Sequence, residues 1–496
     1  MAGIRKQAIT SSILVYIGIL IGVFNMYFFV RNGSFTADQY GLTRLFFDVG
    51  QNVFVLASLG SIPVLYKFYP YYKDNLADKE NDLLTRTLII SVIGFIVVTL
   101  AGIVFEPLVV RKFSERSKLF VDYYHWVFPF AFGLLFFSIL EGYAWVLHKT
   151  VLSNFLKETA LRLVTTIFIL LYYFKFITFQ HFMWLFSFLY LIIAIILFIY
   201  LIQTGHLHLH FKKSRVTKKF RKKMLGMQSL IFGGYIITTI GQTIDGIIIA
   251  SLKGLTLTGV YTFAQYVATL IQVPQRSIQS ISTGILVREW KEKNFAEINR
   301  IYARSCINML LLAIFICGNI WLNVREGMKV TNIQSDFTQG ISAIFIIGIS
   351  RMIDAGTGVN GTIIGTSNKW KFEFFSGVIM LAIRIPLAYY FVKTFGIIGS
   401  AYAELISLSI YNFIRFEFIR RKFGMQPFSF KTVYSILLGI ISFLIPYFLF
   451  SSIPGWPGIL IRSAVFSLIL IAAIFTFKLT PDAMQLLQTV RKRLHI

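Results

Sequence analysis

The sequence predicts an all-α polytopic membrane protein of about fourteen transmembrane helices, and three observations carry that prediction. Of its 496 residues, 56% are hydrophobic, 17% aromatic and only 14% charged, against about 45–50% apolar and about 25% charged in an average globular chain. Apolar runs of roughly the 20 residues that a bilayer core requires recur from one end to the other. The lysines and arginines fall between those runs, and unequally on alternate sides. A mean hydropathy of +0.70 and 51 phenylalanines put apolar surface where lipid meets it.

At the N-terminus, Arg5 and Lys6 precede an apolar run that continues to Val30. It exceeds the roughly 7–15 residues of a signal-peptide core and has no small-residue cleavage site behind it, so it reads as the first span. Further spans are expected at 41–66, 85–105, 121–147, 157–175 and 180–203. After a basic stretch they resume at 225–252, 259–285, 301–322, 337–363, 373–392, 397–418, 432–451 and 459–477. No connection is long enough for a soluble domain. The two cysteines, Cys306 and Cys317, share one apolar run, about 16 Å apart along a helix. That is beyond disulfide reach, and they read as packing residues.

The formal charge of +26 would suggest nucleic acid in a soluble chain. Here position explains it better, and no nucleic-acid partner is expected. With both termini on the side of the basic loop His206–Lys223, that side carries 33 lysines and arginines and the other 11. The positive-inside rule makes the first side cytoplasmic. A pattern repeat at an offset of 220 places Asn25 on Asp245, and Gln39–Pro70 on Gly259–Trp290. Six helices per half is an even number, so the halves would be parallel repeats. The expected organisation is an N-terminal six-helix lobe over 1–205, a basic linker over 206–224, a second six-helix lobe over 225–420, and helices 13 and 14 with the tail over 421–496.

Motifs of soluble chemistry are absent: there is no phosphate-binding GxxxxGK[ST], no HExxH, no CxxC and no nucleophile elbow. Nothing here reads as an enzyme, and energy would come from a gradient or from the substrate's own concentration difference. His206, His208 and His210 would share a face only in an extended segment, and they lack the carboxylate or thiolate support of a metal site. No metal or cofactor is expected.

The informative residues are ionisable groups at membrane depth, each costing about 2.5–3.5 kcal/mol to insert. They are Arg44, Arg276, Arg351 and Arg384, with Asp48, Glu141, Asp245, Asp354 and Glu404. Arg44 and Asp48 are spaced for an i,i+4 pair, and Arg351 and Asp354 for an i,i+3 pair. Such pairs either neutralise one another or serve transport, and Arg44 is near enough to the outer boundary to snorkel. Arg276 in QVPQRSIQS and Arg384 in AIRIPLAYY have no acid at helical spacing and sit beside prolines, where a bent helix borders a cavity. A guanidinium there suits phosphate. Asp245, with Gln242 three residues earlier, would carry a proton or Na⁺ or counter an arginine. The Gly-rich run DAGTGVNGTIIGTS from Asp354 to Ser367 allows close helix packing or a hinge.

Fourteen helices, a basic loop between halves, GVNGTIIGTSNKW on the tenth helix and FGIIGSAYAELIS opening the twelfth resemble the Wzx-like polysaccharide flippases of the multidrug/oligosaccharidyl-lipid/polysaccharide (MOP) exporter superfamily. The resemblance covers essentially the whole chain. It implies two six-helix lobes around a central cavity that moves an undecaprenyl-diphosphate-linked oligosaccharide across the bacterial cytoplasmic membrane by alternating access, serving polysaccharide or lipopolysaccharide synthesis. It implies H⁺ or Na⁺ coupling, contact with membrane lipids and work beside a polysaccharide polymerase. The cavity candidates are Arg276, Arg384, Arg44, Arg351, Asn25 and Gln242, and the ion-coupling candidates are Asp245, Asp48, Asp354 and Glu404. The alternatives are a cation-coupled multidrug exporter, whose members usually stop at twelve helices, and a lipid II flippase, whose first two helices carry several arginines where this chain has Arg31 and Arg44. A third reading is a membrane scaffold of envelope synthesis, in which the deep charges are dispensable.

Overall fold

A computed structural model describes residues 2–483 and 485, with side chains from Leu14 onward. The side chains of Arg5 and Lys6 and the tail 486–496 therefore lie outside the described residues. All regular structure among the described residues is helical.

The chain divides into two compact units, Met1–Gly259 and Val260–Ile496. The first holds α1 (Ala2–Val30), α2 (Ala37–Ser58), α3 (Ser61–Asn75), α4 (Leu83–Val104), the short α5 (Glu106–Phe113) and α6 (Lys118–Asp122), α7 (Val127–Val146) and α8 (Thr150–Asn154). A π-helical turn, Phe155–Ala160, leads into α9 (Leu161–Tyr173), followed by α10 (Phe179–Ser187), α11 (Leu189–Gln203) and the 39-residue α12 (Arg215–Lys253). Helix α13 (Leu255–Thr269) crosses the division. The second unit continues with α14 (Val273–Glu292), α15 (Phe295–Val330), α16 (Ile341–Gly356), α17 (Asn360–Thr366), α18 (Lys371–Phe395), α19 (Ile397–Phe423), α20 (Phe430–Phe450) and α21 (Gly455–Thr476).

Each of the fourteen expected spans falls on helix. Ten segments among the described residues are long and apolar enough to cross a bilayer, and α2 with α3, bent by 45°, form an eleventh. Three expected spans are helical but fall outside these eleven. The first has an apolar described stretch of Leu14–Val30. The fifth is broken by the π turn, and the eighth by a 3₁₀ turn at Leu270–Gln272 before the polar α14.

Local chemistry explains the boundaries that matter. Thr36 caps α2: its Oγ1 accepts from the Gln39 amide at 3.2 Å, while its own amide donates to Gln39 Oε1 at 3.0 Å, a reciprocal capping box. The bend between α2 and α3 is made by Leu59 (φ 49°) and Gly60 (φ 70°). Gly60 backs onto the main chain of Gln228 and Phe232 in α12, so a side chain there would be both strained and obstructed.

The unit boundary falls after α12, later than the basic linker at 206–224, because α12 packs along α2 and α3. Its N-terminus is tied in by Tyr72 Oη, 2.6 Å from Thr217 Oγ1. Rows of large apolar side chains stay exposed on the other helices, such as Ile93, Ile96, Val97 and Leu100 on α4 and Leu437, Ile440, Ile441 and Leu444 on α20. Such faces are stable against hydrocarbon. The chain is a multi-pass membrane protein.

Candidate functional sites in the two units

In the first unit, two carboxylates meet where α2 lies against α12. Asp48 interacts electrostatically with both Arg44 and Asp245, and Asp245 is 1% exposed. Gly246 makes the approach possible, since a Cβ there would run into Asp48 Oδ2. Asn52 bridges the helices, its Nδ2 donating at 2.7 Å both to the Asp48 carbonyl and to Thr243 Oγ1. The expected Arg44–Asp48 ion pair does not close. The Arg44 guanidinium instead lies 4.9 Å from the Tyr40 ring centroid and 5.6 Å from that of Phe47, where the ring faces compete for the cation. Gln242 is exposed and stands apart from this cluster.

Asn25, which the repeat pairs with Asp245, lies on α1. Buried at 6% exposure, it donates to the Arg162 carbonyl at 2.9 Å and accepts from Thr166 Oγ1 at 2.6 Å. Both of its hydrogen-bonding groups are thus spent fastening α1 to α9.

A cavity of about 420 Å³ also lies in this unit, walled by Tyr66, Trp145, Tyr190 and Tyr235 and floored by Glu141 and Lys157. Lys157, on the π turn, is 3.1 Å from Glu141. The other carboxylate oxygen, Oε1, is buried without a hydrogen-bond partner. Tyr66 and Trp145 stack with centroids 5.7 Å apart and planes 16° apart. Sequence reasoning finds Glu141 but not its partner, because the two are sixteen residues apart and separated by a helix end. The π turn that presents Lys157 has no simple sequence signal, though such turns favour functional positions.

In the second unit, Glu404 on α19 is fully buried and takes two arginines. Arg351 Nη2 lies 2.6 Å from one carboxylate oxygen and Arg384 Nη2 3.6 Å from the other, while Tyr261 Oη donates to Glu404 at 3.4 Å. This corrects two expectations. Arg384 does have an acid, supplied by another helix, and Arg351 pairs with Glu404 rather than Asp354. Two guanidiniums thus converge on one buried carboxylate inside the unit.

Asp354, one turn along α16 from Arg351, is held by amides. Gln275 Nε2 donates at 2.9 Å, Gln272 Nε2 at 3.4 Å and Asn412 Nδ2 at 3.0 Å. Asn412 Oδ1 in turn accepts from Thr357 Oγ1 and Asn360 Nδ2, each at 3.0 Å. The Gly-rich run thus supplies a polar network as well as close packing. Arg276, next to the buried Gln275, is exposed.

Arg462, counted with the outer loops, lies on α21. It is 3% exposed and donates to the Phe450 and Ile453 carbonyls, each at 3.0 Å, and to Asn323 Oδ1 at 3.1 Å. It satisfies carbonyls at and beyond the end of α20, which have no helical partners. Cys306 and Cys317 are free and buried. Among the described residues no three His, Cys, Asp or Glu side chains converge as a metal site.

No family model matches the sequence, and no curated protein matches it. Solved structures do. The chain is similar to the lipid II flippase MurJ in an inward closed conformation, with a TM-score of 0.71 at 15% identity over 95% of this chain and 98% of that one. It is similar to an inward-facing multidrug resistance MATE family transporter of the MOP superfamily, with a TM-score of 0.63 at 14% identity over 83% and 94%. A MOP superfamily transporter from Pyrococcus furiosus follows at 0.54 and 15% over 85% and 96%. At such identities the likeness speaks for architecture: the chain has the helical membrane fold of MurJ and the MATE transporters.

Proposed function

We propose that the protein is a flippase that carries a lipid-linked oligosaccharide across the cytoplasmic membrane by alternating access, for surface-polysaccharide synthesis. The observation that carries this reading is the Arg351–Glu404–Arg384 cluster, where two arginines share one carboxylate. Arg351 Nε is buried without a hydrogen-bond partner. Guanidiniums are costly at membrane depth and are kept where they serve a site, and a diphosphate offers bidentate oxygens to the Arg351 fork. Arg276, exposed and without an acid at helical spacing, serves as the first contact for the same group. The aromatic cavity of the first unit supplies flat apolar walls and hydroxyls, suited to a sugar ring with one apolar face and many donors.

Asp48 and Asp245 are the residues proposed to bind the coupling ion, H⁺ or Na⁺. In this reading the basic loop is cytoplasmic, and a polysaccharide polymerase is a partner. The same paired acids favour one competitor, a cation-coupled exporter of cationic drugs.

The test is export of surface polysaccharide in a deletion strain carrying variants. Arg276→Ala and Arg351→Ala should insert normally and abolish export, while Lys at either position should restore it in part. Normal export in both alanine variants sinks the site. Drug resistance conferred on a sensitive host, with no polysaccharide defect on deletion, would establish the competitor.

A further inference from the structure

A second cavity of the first unit, about 360 Å³, lies where the starts of α3 and α4 face the first turns of α12. It is lined by the cations Arg86, Lys213, Lys218 and Arg221 together with apolar Leu83, Ile90 and Leu225, among others. The register produces this mixture. On α12 the lining positions 218, 221, 225 and 228 follow one helical stripe, and on α4 positions 83, 86, 87 and 90 do the same. Each stripe thus sets cationic side chains, Arg86 on α4 and Lys218 and Arg221 on α12, within about two turns of apolar ones, Ile90 and Leu225.

The frame is rigid. Asp82, fully buried, accepts from the Ser214 amide at 3.2 Å and from Thr217 Oγ1 at 2.9 Å, and pairs with Arg86. Ser214 caps α12 by accepting from the Thr217 amide at 3.2 Å. One buried carboxylate therefore pins the loop, the first turn of α12 and the start of α4 together. Lys213, Lys218 and Arg221 are exposed and form no ion pair among the described residues.

Basic residues beside a membrane ordinarily serve topology. A walled cavity with four cations, one already committed carboxylate and apolar lining residues does more than that. We infer that this cavity is a binding site for the phosphate headgroup of a lipid, whose chain lies along Ile90 and Leu225. It holds whatever the transported substrate proves to be. Lipid phosphate comes from two sources, the anionic phospholipids of the bilayer or an isoprenoid diphosphate, and both present the same oxygens to lysine and arginine.

The experiment uses the full chain in nanodiscs, with bound lipid counted by native mass spectrometry. One arm titrates cardiolipin into phosphatidylcholine discs, a second adds farnesyl diphosphate, and a third adds inorganic phosphate. The K213A/K218A/R221A variant should bind the lipid probe on the order of a hundredfold more weakly, at roughly 1 kcal/mol per cation. Its melting temperature should be unchanged because all three side chains are exposed. The arginine-for-lysine variant K213R/K218R should bind as wild type does. Loss in the cardiolipin arm alone identifies the bilayer as the source, and loss in the farnesyl diphosphate arm alone identifies the isoprenoid. Wild-type affinity of the triple variant for both lipids overturns the site. Inorganic phosphate binding as tightly as either lipid overturns the role of the chain.

Discussion

Glu404 and Arg351 form an ion pair at 2.6 Å between α19 and α16, with the carboxylate fully buried. Arg384 from α18 reaches the same carboxylate at 3.6 Å, so one acid joins three helices of the second unit. Removing it takes the shared carboxylate away from both guanidiniums. Breaking a buried pair from one side costs about 3–5 kcal/mol. Glu404→Ala should lower the thermal midpoint in detergent sharply, and Glu404→Gln less, since an amide oxygen still accepts. A midpoint unchanged in both would show that the arginines are solvated in another state.

Gly246→Ala tests the contact of α2 with α12. A methyl there meets Asp48 Oδ2, and overpacking of this kind costs about 1–3 kcal/mol. The substitution should also disturb the proposed ion site. Transport should fall, and its dependence on the H⁺ or Na⁺ gradient should weaken, to be measured in proteoliposomes with imposed gradients.

Asn25→Ala should act on stability rather than on substrate affinity. It removes the hydrogen bonds to the Arg162 carbonyl and Thr166, at about 1–3 kcal/mol for buried groups left unpaired. The expected result is faster proteolysis near α1, with an unchanged substrate Kd in the folded fraction. A raised Kd at unchanged stability would return Asn25 to the list of substrate contacts.

Arg462→Ala should loosen the α20–α21 corner by about 2 kcal/mol or more, because three hydrogen bonds to a charged donor disappear. Hydrogen exchange at Phe450–Ile453 would report it directly. Lysine, a point donor, should recover only part of the loss.

How much was legible in the sequence differs by level. Hydropathy alone locates helix in every expected span, because a bilayer demands continuous apolar runs with internal hydrogen bonds. The deep charges were legible as well: Arg351, Arg384, Asp354, Glu404, Asp48 and Asp245 all sit in built polar clusters. Their partners were not. Helical spacing pairs Arg44 with Asp48 and Arg351 with Asp354, yet neither pair closes. Arg44 goes to aromatic faces, Asp48 to the neighbourhood of Asp245, Arg351 to Glu404, and Asp354 to three amides.

The sequence by itself thus determines what the membrane enforces: helix, approximate number of spans, and which residues are too costly at depth to be accidental. Only the tertiary structure decides pairing and division. The spacing of a pair on one helix is a local property, whereas Glu404 reaches its arginines only after α16, α18 and α19 have packed. The same holds for α12, whose basic start reads as a linker but whose length lies against α2 and α3, closed by Gly60 and Gly246. Backbone approach at a glycine and charge matching across helices are non-local, and a one-dimensional pattern carries neither.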